Sequence, residues 1–388
     1  MRIGGIIFLA AASSCAAAQT VAPLPAAPAW QMQDSGTTAG LRGIDSVDGT
    51  VAWASGTGGT VLKTLDGGAH WTRCAVPDAA KDGATLDFRG VQAWDANTAI
   101  VMASGKGKLS RLYKTKDACK SWKLLFKDPD KSGFWDALYF QSFGNGKGRW
   151  LSGWLLGDPV DGMFTLFYTD DSGKDWYRQG NRELRVKQGT QGAFAASNSS
   201  LAAYYGDVVF GSGGAAGAFV YSGIETSICV DNCSPEEMGF YGGNRKWNRQ
   251  PVLPGQNTDS SGVFSIGARP EVAIARGWAP DYKLFVAVGG DYAKSGDSTR
   301  TAAWSADAGE HWTASTTPPH GYRSAVQWSE SLKFWITVGT NGSDISRDDG
   351  KTWQPLDDGN WNALSLPFVV GPDGRIARLN PAMLQAGK

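Results

Sequence analysis

Histidine and glutamate are scarce in this sequence, and neither sign of charge is in excess. The 388 residues include three histidines, of which His70 and His311 fall inside repeated turn motifs and His320 stands alone, so we predict no metal site. Lysine plus arginine and aspartate plus glutamate number 37 each, which provides no overall charge for binding nucleic acid or an anionic membrane. The chain also lacks a nucleophile elbow, a phosphate-binding loop and a zinc signature. We therefore expect no cofactor and no nucleic-acid partner.

Long apolar runs are absent after the first residues, so we predict no transmembrane segment. Residues 1–18 have a short basic start, an apolar stretch and small residues at the end, which are the features of a signal peptide. Residues 19–29, with prolines among alanines, are expected to form a flexible leader. Lipid attachment at Cys15 is the alternative, but Ala12 stands where such a site usually has leucine. We expect cleavage after Ala18 and a secreted or periplasmic protein.

Glycine and tryptophan are abundant, with 51 and 17 copies, while charged residues make up only 19% of the chain. Turn glycines and large aromatic side chains suit many short strands that pack against one another. The composition therefore favours an all-β protein.

One motif, Ser/Thr-x-Asp-x-Gly-x-x-Trp, recurs along the chain. Its aspartate and hydroxyl can bond to the backbone of a tight turn, and its glycine supplies a positive φ that other residues adopt at a cost. The tryptophan can hold the turn against its neighbour. Complete copies occupy residues 64–71, 169–176, 305–312 and 346–353, and a fifth copy at 115–122 has Cys119 in place of glycine. We interpret them as hairpin corners organised by Asp66, Asp117, Asp171, Asp307 and Asp348.

This motif resembles the Asp-box, or BNR, repeat of sialidases and of photosystem II stability/assembly-factor-like propellers. The resemblance covers most of the chain. It implies a β-propeller in which each box lies at the perimeter of a blade, far from the central site, and has a structural role. For function, the resemblance implies a partner-binding face that carries repeated arginines.

A second, weaker pattern marks the first strand of each blade. It occurs seven times, at residues 41–44, 88–91, 134–137, 193–196, 263–266, 322–325 and 361–364. Alternating apolar runs broken by glycines follow these starts, as expected for a meander of short strands. One blade carries an insertion at 223–245, which we expect to be a loop on the rim.

The seventh start has no box after it, whereas residues 29–33 look like a strand that follows a box but have no blade before them. We infer that this N-terminal strand completes the seventh sheet beside residues 367–379, because closing the ring leaves no free sheet edge. The sequence therefore predicts an all-β, seven-bladed propeller over residues 30–380, followed by a tail at 381–388.

Cleavage after Ala18 would leave four cysteines in an oxidising compartment. Cys74 follows one box and Cys119 lies inside the next, so both are expected on the rim of adjacent blades, and we predict a disulfide between them. Cys229 and Cys233 are close enough in sequence for a second, local bridge.

The innermost strands of a propeller line its channel, so the second position of each first-strand pattern is the candidate binding position. Around the ring, the arginines and the asparagine would form a polar arc that faces an aromatic arc. Such a pair of arcs could hold a carboxylate, a sugar or a peptide segment. The alternative is that the arginines pair locally at strand ends. The seven candidates are Arg42, Arg89, Arg323, Asn362, Trp135, Phe194 and Phe264.

For function, we favour a non-catalytic, monomeric scaffold that binds an unknown protein or glycan at the central face. The alternatives are a sialidase-like glycoside hydrolase and a carbohydrate-binding lectin. Sialidases join three arginines to catalytic acids, and glycoside hydrolysis needs two carboxyl groups at a set separation. Two acids beside the arginines would therefore favour the hydrolase. We assign no catalytic residue, because the acids in possible loops are typical turn formers, namely Asp136, Asp158, Asp161, Asp207 and Asp291.

Overall fold

Seven four-stranded antiparallel sheets make up the computed structural model of this chain, which confirms the predicted seven-bladed β-propeller. The model describes residues 28–76, 85–145, 148–186, 190–204, 207–225, 245–253, 256–271 and 281–382. The predicted signal peptide, Cys15, Cys229 and Cys233 lie outside the described residues, as do nearly all of the leader and most of the tail. No helix among the described residues is long and apolar enough to cross a membrane.

The strands follow one another as meanders, and the sheets are formed by β2 to β5, β6 to β9, β10 to β13, β14 to β17, β18 to β21, β22 to β25, and β26 to β28 with β1. In chain order their bounds are β1 (Trp30–Gln33), β2 (Leu41–Ser46), β3 (Ala52–Gly56), β4 (Thr60–Thr64), β5 (Thr72–Arg73), β6 (Phe88–Ala93), β7 (Ala99–Ala103), β8 (Arg111–Thr115), β9 (Lys123–Lys127), β10 (Trp135–Asn145), β11 (Gly148–Val160), β12 (Met163–Thr169), β13 (Tyr177–Arg178), β14 (Leu201–Tyr204), β15 (Asp207–Ser212), β16 (Phe219–Glu225), β17 (Arg245–Pro251), β18 (Ser261–Glu271), β19 (Asp281–Asp291), β20 (Ala302–Ser305), β21 (Thr313–Ala314), β22 (Ala325–Ser329), β23 (Phe334–Gly339), β24 (Gly342–Ser346), β25 (Gln354–Asp357), β26 (Ala363–Ser365), β27 (Phe368–Val370) and β28 (Ile376–Leu379). Short 3-10 turns occupy Gly107–Leu109, Arg182–Leu184 and Tyr292–Lys294.

The N-terminal strand closes the ring as predicted. Strand β1 pairs antiparallel with β28, with Trp30 opposite Leu379, and is the outermost strand of blade seven. Trp30 is buried against Trp361, with ring centroids 6.1 Å apart, and its indole N–H donates to Oγ of Ser343 in blade six at 3.1 Å. The first strand of the propeller is therefore held by the last two blades.

The fourth blade starts later than predicted. Residues 193–196 form a loop, and the inner strand β14 begins at Leu201. Asn198 adopts a positive φ of 66°, and Ser200 donates its hydroxyl to the Phe194 carbonyl at 3.3 Å, so the chain turns here instead of extending.

The five repeated motifs form the turns between the third and fourth strands of blades one, two, three, five and six. In the first, Thr64 Oγ1 donates to Asp66 at 2.8 Å and accepts from the Gly68 amide at 2.9 Å, while Asp66 accepts from the amide of His70 at 2.9 Å. The other four repeat these bonds. Cys119, which replaces the glycine, keeps the left-handed conformation with φ of 64°.

The predicted bridge between the first two blades is present, since Cys74 and Cys119 are joined by a disulfide. Each sheet is buried on both faces between its neighbours, so all five residues of β4 and of β8 are buried whereas both residues of β5 are exposed. The core is therefore distributed among the contacts between blades. The centre of the ring is left for a channel.

Candidate functional site

Four inner strands carry a β-bulge at the same place, and the bulged residues face one cavity. The register shifts lie between Leu41 and Gly43, Phe88 and Gly90, Trp135 and Ala137, and Val263 and Ser265. In each case the residue before the bulge is buried between blades, and the extra residue turns toward the channel. The four extra residues are Arg42, Arg89, Asp136 and Phe264.

The cavity has a volume of about 400 Å³ and is lined by residues of the inner strands and of the loops beside them. It combines two guanidinium groups, two carboxyl groups, an amide and a wall of aromatic rings. Its principal side chains are Arg42, Arg89, Asp136, Asp158, Asn362, Phe134, Phe194, Phe264, Tyr292 and Tyr322. Of the seven residues predicted from the sequence, five line it, namely Arg42, Arg89, Asn362, Phe194 and Phe264.

Trp135 and Arg323 do not line the cavity, and the reason is a shift of one residue. Trp135 occupies the buried position that Leu41 holds in blade one, so the side chain that faces the cavity from this strand is Asp136. Arg323 likewise occupies the position of Leu41, since the amide of each residue donates to a backbone carbonyl of the preceding blade. The residue of this segment that lines the cavity is therefore Ser324. A shift of one position turns a strand residue to the opposite face.

Arg323 is fully buried and belongs to a polar network inside blade six. Its guanidinium donates to Asp344 from Nε at 2.6 Å, to Asn341 at 2.7 Å and to the carbonyl of Tyr322 at 2.7 Å, and it also contacts His320. Burial lowers the pKa of Arg323, and Asp344 opposes this effect. Its role is to satisfy a buried carboxylate, so the alternative of local pairing applies to this arginine.

Arg42 and Arg89 share one acidic neighbour. Arg89 Nε donates to Asp87 at 2.7 Å, and its Nη1 donates to the carbonyl of Ala195 at 3.2 Å. Arg42 Nε lies 3.9 Å from Asp87, beyond hydrogen-bonding distance, and is buried without a hydrogen-bond partner among the described residues, although a third of the side chain is exposed. Burial, and then the charge of Arg89, lowers the pKa of Arg42. Arg42 thus lines the cavity, and its buried Nε has no acceptor among the described residues.

Asp136 and Asp158 form the acidic side of the cavity. They lie on the paired strands β10 and β11, and Asp158 accepts a hydrogen bond from the Ala193 amide at 3.1 Å. Burial raises the pKa of Asp136 well above its usual value, and the nearby Asp158 raises it further, while Arg89 lowers it. Burial also raises the pKa of Asp158. The sequence interpretation of these two acids as turn formers missed their place in the site.

The aromatic wall is a stack of rings that fills the opposite side. Phe194 stacks on Phe264 with centroids 3.9 Å apart, and Phe264 meets Tyr322 edge to face at 4.8 Å. Burial raises the pKa of Tyr322, so its phenol is neutral. Phe194 comes from the loop before β14 rather than from a strand, yet it reaches the predicted place. A ligand would meet apolar ring faces here.

A second cavity, of about 490 Å³, lies among other parts of the same inner strands. Its polar side chains mostly tie one blade to the next: Asp45 accepts from the Ala93 amide at 2.6 Å, Gln92 accepts from the Phe140 amide at 2.7 Å, and Gln327 accepts from the Leu366 amide at 2.8 Å. Burial raises the pKa of Asp45 to about 6. Because these groups already form hydrogen bonds that join one blade to the next, the cavity with Arg42 is the better candidate site.

Comparison with known proteins gives a fold and no family. No protein-family model matches the chain, and no curated protein sequence matches it. Among solved structures, one described as YCF48 bound to D1 peptide is similar, with 18% identity and a TM-score of 0.56 over 92% of this chain and 98% of that chain. YCF48 from Cyanidioschyzon merolae is similar as well, with 18% identity and a TM-score of 0.58 over 91% of this chain and 99% of that chain. The expected resemblance to photosystem II assembly-factor propellers is thus supported at the level of the fold.

Proposed function

We propose that this chain is an exported, non-catalytic propeller that holds an extended segment of a partner protein in the cavity lined by Arg42 and Arg89. The observation that carries the proposal is the state of Arg42, which lines the cavity from a bulge and whose buried Nε has no hydrogen-bond partner in the part of the chain that the structure describes. A buried donor left unpaired costs free energy, which a carboxylate or a carbonyl of a bound segment would recover.

The aromatic wall supports a peptide as the ligand. Rigid rings such as the half-buried Phe194, which stacks on the buried Phe264, and the exposed Tyr292 offer contact area with little loss of conformational entropy, and peptide sites commonly pair such surfaces with a few polar anchors. A propeller of this fold, YCF48, has been solved with a D1 peptide, so the architecture is able to hold a peptide. The predicted signal peptide at 1–18 supports a partner in the cell envelope or outside the cell.

The test is a selection from a random linear peptide library on the immobilised mature protein, followed by titration calorimetry of the enriched peptides. We expect enriched peptides to bind Arg42→Gln about ten-fold or more weakly, because a hydrogen bond to a charged group is worth about 1.5–3 kcal/mol. The matched control is Arg73→Gln, which removes one exposed arginine from the outer strand β5 and should bind as the wild type does. The proposal would be rejected if no peptide is enriched on the wild type, or if the enriched peptides bind Arg42→Gln as tightly as they bind the wild type.

A glycoside hydrolase is the second candidate, because two carboxyl groups with raised pKa values lie beside Arg89 in the cavity. Assay of the purified protein on fluorogenic glycosides, including a sialoside, tests it. Turnover that disappears in Asp136→Asn would favour the hydrolase, whereas peptide binding without turnover favours the scaffold.

A further inference from the structure

Basic and acidic side chains follow one another in and beside the wall of the cavity. Arg42 is followed by Asp87, which accepts from Arg89 at 2.7 Å, and Arg89 is followed by Asp136 and Asp158. Arg42, Arg89 and Asp136 occupy the bulge position of three successive blades, which explains the order. These five side chains form a charged row, which has a basic end at Arg42 and an acidic end at Asp136 and Asp158.

The acidic end has an unpaired oxygen. Asp136 is only 1% exposed, and its Oδ2 has no hydrogen-bond partner within the described part of the chain. Arg89 forms no hydrogen bond with this oxygen, and instead its Nε donates to Asp87 and its Nη1 donates to the carbonyl of Ala195. A buried carboxyl oxygen without a donor is costly, and a ligand that supplies the donor gains the difference.

The row also contains more acids than bases. Asp87, Asp136 and Asp158 are three carboxyl groups, while Arg42 and Arg89 are two guanidinium groups, so full ionisation would leave one negative charge uncompensated. Without a ligand, a proton on Asp136 removes that charge, which agrees with the raised pKa of this group. A cation that entered the cavity would replace the proton.

We propose that the end of the cavity formed by Asp136 and Asp158 receives a lysine or arginine side chain of the bound segment, while Arg42 receives an acidic or carbonyl group from the same segment. This inference rests on the proposed function, which it deepens by giving the chemistry of the partner. The segment would carry charges of both signs, spaced to match the two ends of the row.

The neighbouring rings suit a long cationic side chain. Phe134 lines the same cavity beside Arg89, whose guanidinium lies 5.9 Å from the centroid of that ring. Apolar ring surface of this kind packs against the methylene stem of lysine or arginine while the charged end reaches a carboxylate.

The test uses the same random peptide library on the wild type, on Asp136→Asn and on Asp175→Asn. The Asp136→Asn substitution removes the ionisable group with the unpaired oxygen with almost no change of shape and keeps Asp158, and Asp158→Asn provides a second variant of that end. The control, Asp175→Asn, makes the same chemical change at an exposed position of a rim turn. Circular dichroism and thermal melts establish that each variant is folded.

We expect the wild type and Asp175→Asn to enrich peptides with lysine or arginine at one fixed position, and Asp136→Asn to lose this preference while it still enriches peptides. Replacing that lysine by norleucine should weaken binding to the wild type about ten-fold or more and leave binding to Asp136→Asn unchanged. Enrichment on the wild type without a cationic position, or the same preference on Asp136→Asn, would overturn this inference alone. No enrichment on the wild type would overturn the proposed function and this inference with it.

Discussion

Arg323 and Asp344 form an ion pair that is cut off from solvent in blade six, with the guanidinium Nε 2.6 Å from Oδ2 and both side chains at most 1% exposed. Arg42, which was predicted from the same sequence pattern, lines the cavity with a third of its side chain exposed. The two side chains are chemically identical, but their substitution is expected to change the stability of the protein by very different amounts.

We expect Arg323→Gln to lower the free energy of unfolding by about 3–5 kcal/mol, because it leaves the Asp344 carboxylate buried and unpaired. Arg42→Gln should change it by less than about 0.5 kcal/mol, since the side chain is partly exposed and its Nε has no hydrogen-bond partner among the described residues. Urea unfolding followed by tryptophan fluorescence measures both values. Equal losses in the two variants would show that Arg42 is also a structural residue.

The pH dependence of stability should report on Asp136. Its pKa is raised in the folded protein, so the folded state binds the proton more tightly than the unfolded state does. The stability that the protonated group contributes is therefore present below the unfolded pKa of about 4 and is lost as the pH rises toward the folded pKa. We expect Asp136→Asn, which cannot ionise, to melt at a higher temperature than the wild type at pH 8.

The difference in melting temperature between these two proteins should shrink as the pH falls toward 4, because both then carry a neutral side chain at this position. Thermal melts from pH 4 to pH 9 measure the trend, and Asp175→Asn again controls for the loss of one acid. A difference that does not vary with pH would mean that folding leaves the pKa of Asp136 unchanged, and a difference that grows in favour of the wild type as the pH rises would mean that the ionised carboxylate is favoured in the folded protein.

The ring closure gives a third prediction. Trp30 is buried between Trp361 and Ser343, whereas Met32 on the same strand is 56% exposed. We expect Trp30→Ala to lower the free energy of unfolding by about 3–5 kcal/mol, the usual cost of removing a large buried aromatic side chain. Met32→Ala should cost less than about 0.5 kcal/mol. Identical unfolding midpoints for the two variants would mean that β1 contributes little to the ring.

The fold could be predicted because its signals repeat. Seven copies of the first-strand pattern and a lone tryptophan at the start of the chain predicted the blade count and the closure of the ring. Five copies of one turn motif indicated the propeller, and local hydrogen bonds such as Thr64 to Asp66 explain why that motif is recognisable. Periodic local signals of this kind do not depend on distant contacts.

The site was only partly predictable. The candidate binding residue was taken as the second residue of each first-strand pattern, and this choice needs the correct register. The pattern aligned Phe134 with Leu41, whereas the structure aligns Trp135 with Leu41, and this shift hid Asp136. A large apolar residue directly before the cavity-facing one was the available signal. The raised pKa of Asp136 could not be foreseen, since it depends on burial and on Asp158, which is distant in sequence.

The pairing of β1 with β28 also sets how the ring would respond to a mechanical pull. The chain enters the ring at Trp30 and leaves it at Leu379, and these residues lie opposite each other at one end of an antiparallel pair. A force that separates the two ends would load the hydrogen bonds of this pair one after another instead of all at once. Tension from attached segments would therefore peel β1 away and open blade seven first, even while the other six blades stay intact.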